Sequence, residues 1–177
     1  MGATLVLVAG VAAALAGTGG TYALLTDSAG TAGATVRSGT ATLTVSQLSA
    51  TGATVLGPGS STVGSFAVRN TGTVPLAIRV ATTASRVSSA GTTAAVVLGA
   101  QRVTLAPVTS SRACRAGLRG TSGALGTFDT GSGLLTVSPG ASSTACVEVA
   151  LAGDAPQSVT GAVTDFTLTV TGTQVAP

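Results

Sequence analysis

Asp129-Thr130-Gly131-Ser132 is the stretch of this chain that most suggests chemistry. An Asp in such a Gly-rich loop can share a proton with a second Asp held beside it, because two adjacent carboxylates cannot both ionise, and the pair can then activate water. The chain carries one copy of the loop. A second would have to come from another subunit, and the alternative is a polar hairpin turn, which needs the same residue types. The full set of side-chain carboxylates is five: Asp27, Asp129, Glu148, Asp154 and Asp165. None are spaced as a glycosidase pair would suggest. A calcium site would have to be built from Asp129 and nearby carbonyls, with no other pattern to support it. His and Lys are absent. That removes the HExxH zinc helix, Ser-His-Asp and Cys-His nucleophiles, a Ser-Lys dyad and a Lys-based isopeptide crosslink. No catalytic residue, metal or cofactor is expected, and the chain is not read as an enzyme.

The remaining reactive side chains are the two cysteines, Cys114 and Cys146. In an exported chain they are expected to pair. Closing a loop of about 33 residues would stabilise the fold by roughly 3–4 kcal/mol in the chain-entropy model. Two buried free thiols and a redox pair are the alternatives; the spacing is not that of CxxC.

Net charge is +3, and all eight basic residues are Arg, scattered singly from Arg37 to Arg119. A nucleic-acid site wants a basic stripe with aromatics to stack on, so no nucleic-acid partner is expected. Charged residues are only 7% of the chain, against about a quarter in an ordinary globular protein.

The elements that hold these residues must be built from aliphatic and small side chains. Hydrophobic residues are 45%, yet the aromatics are three Phe and one Tyr. Thr is abundant, β-branched and stiff at χ1, which favours strands. Apolar and polar residues alternate in five runs, at Ala41–Val45, Phe66–Val68, Leu76–Val80, Val147–Leu151 and Phe166–Val170. Such alternation marks antiparallel strands with one face in a core. Pro58-Gly59, Thr71-Gly72, Ala90-Gly91, Gly131-Ser132-Gly133 and Pro139-Gly140 supply the turns. GPGSSTVGSFAVRN and SPGASSTACVEVAL share a pattern: a Pro-Gly turn, a Ser/Thr ramp and a strand. The expected fold is all-β, an antiparallel β-sandwich of jelly-roll-like type, with no long helix after Leu25.

Ahead of this domain lies the apolar run Ala3–Gly17, followed by Gly17-Thr18-Gly19-Gly20 and Thr21-Tyr22-Ala23. The small residues Thr21 and Ala23 stand where an export peptidase needs them. The expectation is a signal peptide over residues 1–23, cut between Ala23 and Leu24, and a mature domain over 24–177. No Lys or Arg precedes the run, and a retained membrane anchor is the alternative. An uncleaved segment is the one expected contact with a membrane.

The residues around this cut resemble the TasA/camelysin family of secreted proteins, whose precursors are cut by SipW-type signal peptidases. GGTYALLTDSA is similar to the family's cut site, with Leu25-Thr26-Asp27 matching its short hydrophobic-x-Asp motif. Gly39, Thr40 and Leu43 fit its next segment, where Val36 and Ala41 depart from it. Leu56-Gly57-Pro58-Gly59 resembles its L-x-P-G turn. The strand ending at Asn70, with Thr71-Gly72 after it, resembles its F-x-V-x-N-x-G block. Phe166 to Gln174 resembles its closing strand. Residues 84 to 135 match nothing in it. Members have been described as metalloproteases, a chemistry this His-free chain does not support.

What the resemblance implies is a secreted protein, outside the cell or at its surface, that self-associates as a subunit of a biofilm matrix or fibre. Assembly by β-strand addition would use Leu24 to Val36 as a donor, with Leu24, Leu25 and Val36 filling apolar pockets of a neighbour. The same segment read instead as the first strand of its own sandwich stays open. A different class of function is a surface binding module for a carbohydrate or host protein. Its ligand site would lie in residues 84 to 135, near Arg102, Arg112, Arg115 and Arg119.

Overall fold

Among the described residues two antiparallel sheets pack face to face, a β-sandwich of eight strands. The computed structural model describes residues 38–49, 55–89 and 91–175, and its strands lie within the compact unit Gly39–Pro177. The strands are β1 (Leu43–Val45), β2 (Ser61–Asn70), β3 (Leu76–Ser88), β4 (Gln101–Val108), β5 (Thr121–Ala124), β6 (Leu135–Val137), β7 (Ser142–Leu151) and β8 (Val163–Gln174). The larger sheet runs β1-β2-β7-β4-β5 and the smaller runs β6-β3-β8. β2 and β3 cross from one sheet to the other, as do β6 and β7. Because β2 pairs with β7 and β3 with β6, these strands follow a jelly-roll path.

The alternation seen in the sequence is the partition between core and surface. Phe66 and Val68, Leu76, Ile78 and Val80, Val103 and Leu105, and Ala145, Val147 and Val149 form one buried cluster with Leu125, Phe128 and Val137. A six-residue helix, α1 (Ala94–Gly99), closes one end of the sandwich, burying Val97 with Ala100 and Val159. Among the described residues no helix is long and apolar enough to cross a membrane.

The two similar segments of the sequence turn out to be partners. Each begins with a Pro-Gly turn closed by a backbone bond, Ser60 N–H to Gly57 O and Ala141 N–H to Ser138 O, both 3.0 Å. Gly59 and Gly140 take φ of 77° and 73° at the third position of these turns, which is the type II geometry that selects Gly. The strands that follow, β2 and β7, run antiparallel side by side from Ser61↔Ala150 to Arg69↔Ser142. Each turn therefore meets the end of the other's strand. Gly59 N–H donates to Leu151 O (3.0 Å), and Gly140 N–H donates to Asn70 O (2.9 Å).

Asn70 ends β2 fully buried. Its amide nitrogen donates to Val74 O (2.7 Å) and Val137 O (2.9 Å), and its Oδ1 accepts from Gly72 N–H (2.9 Å). One side chain so ties the β2–β3 connection to the end of β6. Thr71 and Thr73 donate their N–H groups to Thr42 O and Thr40 O, leaving Gly72 against the Thr40–Thr42 backbone with no room for a Cβ. The ladder at Thr40–Thr42 is thus made to a turn, and β1 is shorter than the alternation from Ala41 predicts.

β7 departs from the expected polar-out pattern. Ala145 to Val149 is buried on both faces, because a loop covers the outer face of the larger sheet. The Asp129 segment is also not a hairpin turn: it joins β5 in the larger sheet to β6 in the smaller, and Asp129 forms an isolated bridge with Ala81 on the way. The signal segment, the cut at Ala23/Leu24 and the donor positions Leu24, Leu25 and Val36 lie outside the described residues.

Replacing Asn70 with Ala leaves buried polar groups of Gly72, Val74 and Val137 without their partner. The expected loss of stability is about 3 kcal/mol, at the upper end for an orphaned buried group, and chemical denaturation measures it. A cost under about 0.5 kcal/mol would show that this knot is dispensable.

Candidate functional site

The side chains with chemical character gather on the outer face of the larger sheet. Pairing of β2, β7 and β4 places Ser65, Cys146 and Ala106 side by side there, then Val63, Glu148 and Thr104, then Ser61, Ala150 and Arg102. The connection from β4 to β5, residues 109–120, folds back across this face. It is fixed at two places. A short turn at Ser111–Ala113 delivers Cys114 to Cys146, and the two form a disulfide with a Cα–Cα distance of 5.2 Å. Three residues later the backbone caps Glu148.

Glu148 is only 8% exposed. Its carboxylate accepts from the Ser61 hydroxyl (2.6 Å), from Gly117 N–H (3.0 Å to each oxygen) and from Leu118 N–H (2.8 Å). Two consecutive N–H groups turned toward one anion form a backbone nest. Gly117 makes this possible by taking φ of 82°, where a side chain would be strained. Burial pushes the Glu148 carboxyl upward, and the Ser61, Gly117 and Leu118 donors outweigh it, so its pKa lies below the ordinary 4.5. The carboxylate is charged and saturated: it is an anchor for the loop.

Around this anchor stand the cationic side chains of the central region. Arg112, Arg115 and Arg119 are exposed on the loop, and Arg102 is exposed on β4 on the same sheet face. The structure thus groups the four Arg residues singled out from the sequence with the disulfide and with Glu148.

Asp129 lies elsewhere, against the smaller sheet. Arg79 on β3 grips it with two donors, Nε to Oδ1 at 2.9 Å and Nη2 to Oδ2. Gly131 N–H donates to Oδ1 at 2.8 Å, closing an Asx turn. The Arg79 guanidinium first and the Gly131 N–H second lower the Asp129 pKa from 3.8 to about 2. Thr130 completes the tie: its N–H donates to Val80 O, and its hydroxyl accepts from Val80 N–H. The Asp-Thr-Gly stretch is a buckle that holds the crossing segment on β3.

Among the described residues no three His, Cys, Asp or Glu side chains converge as metal ligands. A shallow depression of about 270 Å³ lies between α1 and the segment after β7, lined by Val96, Ala152, Asp154 and Pro156. It is smaller than the usual small-molecule site. No protein-family model and no curated protein matches this chain.

Sequence reasoning found both cysteines and the four Arg but gave Glu148 no role beyond a place in an alternating strand. Its donors, Ser61 and Gly117, are far away along the chain. A lone acid in an otherwise uncharged strand was the signal available.

Glu148→Ala should cost about 1–3 kcal/mol, since the Gly117 and Leu118 N–H groups lose their acceptor beneath the loop. Removing the disulfide with paired Cys→Ser changes should cost roughly 3–4 kcal/mol. Urea denaturation of each variant decides both, and values near zero would mean the loop holds its place by other contacts.

Both depressed carboxyls favour the folded state above their ordinary pKa values. That stability is lost as pH falls through the folded ones, so acid weakens the protein between about 4.5 and about 2. In an NMR titration Arg79→Gln should return Asp129 toward 3.8 and leave the Glu148 curve in place. An unmoved Asp129 curve would refute the assigned cause.

Proposed function

We propose that this chain is a secreted, non-enzymatic structural protein, a subunit of an extracellular matrix or fibre that assembles by β-strand addition. One observation carries the reading. Among the described residues three of the four sheet edges are formed by strands of three or four residues, β1, β5 and β6, while the fourth is β8 with twelve. Natural proteins blunt edges by keeping them short, by Lys or Pro, or by covering them. β8 contains no Pro, and Asp165 is its one charged residue. Among the described strands it pairs with β3 alone.

The inner face of β8 is also incompletely covered. Phe166, Leu168 and Val170 pack on the core but stay half-buried. Val80 on β3, which stands opposite Val170, is buried completely. A strand added along β8 would satisfy the main-chain groups that β3 leaves unpaired among the described residues and cover these side chains. The mature N-terminal segment, with Leu24, Leu25 and Val36, has the apolar residues for that role. The disulfide fits an oxidising compartment, and the cut site of the resemblance fits export by a signal peptidase.

Electron microscopy of the purified mature protein tests this. Filaments should appear as concentration rises and should vanish on deleting residues 24–36, with the β circular dichroism spectrum retained. A protein that stays monomeric at every concentration would sink the assembly reading, and would leave residues 24–36 to pair within their own chain.

A further inference from the structure

The outer face of the larger sheet carries its own charge, apart from the β8 edge. The segments that build it are β2, β4 with the following loop and β5, and β7. Glu148 is the one carboxylate in them, while they hold Arg69, Arg102, Arg112, Arg115 and Arg119. Glu148 is buried beneath the loop and fully engaged by Ser61, Gly117 and Leu118. The other described acids lie outside these segments, and Asp129 is taken by Arg79. Among the described residues, Arg102, Arg112, Arg115 and Arg119 have no side-chain hydrogen bond or ion pair. Four unpaired guanidiniums thus share one face with a single masked carboxylate.

Their setting is built rather than loose. Three of the four ride on a loop fastened by a covalent bond at Cys114 and by the Glu148 nest at Gly117 and Leu118. Arg115 lies between these fastenings, and Arg119 directly follows the second. Fixing the backbone in advance reduces what a ligand must spend on ordering it. Guanidinium groups in such an array suit carboxylate, sulfate or phosphate groups, which they engage in pairs of hydrogen bonds.

The surroundings narrow the partner further. Among the described residues no aromatic side chain stands on this face: Phe66 and Phe128 are buried, and Phe166 belongs to the other sheet. Bases of a single-stranded nucleic acid would have nothing to stack on. The loop lies across the sheet, with neither a helix nor a hairpin projecting from it to enter a duplex groove. Exposed hydroxylic residues stand nearby, Thr109, Ser110 and Ser111 before the disulfide and Ser122 after the loop, with Ala113 and Ala116 exposed between them. Hydroxyls beside fixed positive charges match a chain that offers both acidic groups and sugar hydroxyls.

We propose that the disulfide-pinned loop, with Arg102, Arg112, Arg115 and Arg119, binds an acidic polysaccharide lying across the outer face of the larger sheet. This site does not depend on fibre assembly, and deleting residues 24–36 should leave it intact.

The test uses the purified protein with its disulfide closed, at physiological salt, against heparin as a sulfated probe and polygalacturonate as a carboxylated one. Binding to at least one is expected, weakening as salt rises. The combined Arg112→Gln, Arg115→Gln and Arg119→Gln variant should bind at least ten-fold more weakly. Arg86→Gln, on the smaller sheet opposite Asp165, should bind like the parent protein, and circular dichroism should show both variants folded. A mixed-sequence DNA duplex should bind at least ten-fold more weakly than the better polysaccharide. Failure of the parent protein to bind either polysaccharide would overturn the proposal. So would an equal loss in Arg86→Gln, or duplex binding as tight as the better polysaccharide, which would assign the face to nucleic acid.

Discussion

Glu148 is a charged side chain almost out of reach of water, and the outer face of the larger sheet is organised around keeping it satisfied. A buried carboxylate is tolerable only when donors replace the lost hydration. Here they come from a hydroxyl on the neighbouring strand and from two backbone amides of a loop that the disulfide already pins at Cys114. The dependence runs both ways. The loop needs the carboxylate to hold its nest, and the carboxylate needs the loop to stay ionised where it is. Cys146 stands two residues before Glu148 on the same face of β7, roughly 7 Å away along a strand. Two fastenings at that spacing fix the direction of the loop as well as its position. With the loop in place, β7 is buried on both sides and becomes the central strand of the larger sheet.

The rest of the sandwich is held by a second reciprocal arrangement. β2 and β7 each start from a Pro-Gly turn and each end against the other's turn. Slipping this pair by one residue would carry either Phe66 and Val68 or Val147 and Val149 out of the core. It would also unmake the Gly59–Leu151 and Gly140–Asn70 backbone bonds. Residues distant in sequence converge at the Asn70 end. Thr40 and Thr42 pair with Thr73 and Thr71, and Asn70 reaches Val74 and Val137. A Cβ added to Gly172 on β8 would lie 3.2 Å from Leu76 Cδ1 and 3.5 Å from Leu43 Cδ2. Gly39–Leu43, Asn70–Gly72 and the Gly172 end of β8 therefore meet at one end of the sandwich.

Strands with one solvated face were legible because alternation is a local signal. Phe66 and Val68, Leu76 to Val80, and Phe166 to Val170 show it plainly, and the core follows from them. β4 has the same alternation at Val103 and Leu105, but Ala106 and Pro107 interrupt it, and Ala106 is buried on the other face by the loop. β5 and β6 are too short to carry a period, and their pairing with β4 and β3 is decided by the chain's path. α1 has no side-chain cap and no charge in its end turns, so nothing local announces it. The cysteine pairing followed from the number of cysteines and the expected compartment. The Glu148 nest did not, because it depends on a positive φ at Gly117 and on a crossing that brings residue 117 over residue 148. Asp129 shows the converse: its motif was visible and its company was not, since Arg79 reaches it across fifty positions of sequence.

Scarcity of charge explains how one small domain can hold two such different surfaces. With charged residues at 7% of the chain, a carboxylate must either be paired or be displayed where it serves solubility. Asp129 is spent on Arg79 and Glu148 on the loop, and Asp165 faces Arg86 across the β3–β8 pair. The remaining positive charge collects where no acid opposes it, on the outer face of the larger sheet. The β8 edge is left nearly neutral, which is the condition under which another strand can approach without like-charge repulsion. A cationic face on one sheet and a neutral open edge on the other do not compete for the same residues. A copy joined along β8 would leave the arginine loop uncovered, so the two proposed roles are compatible on one subunit.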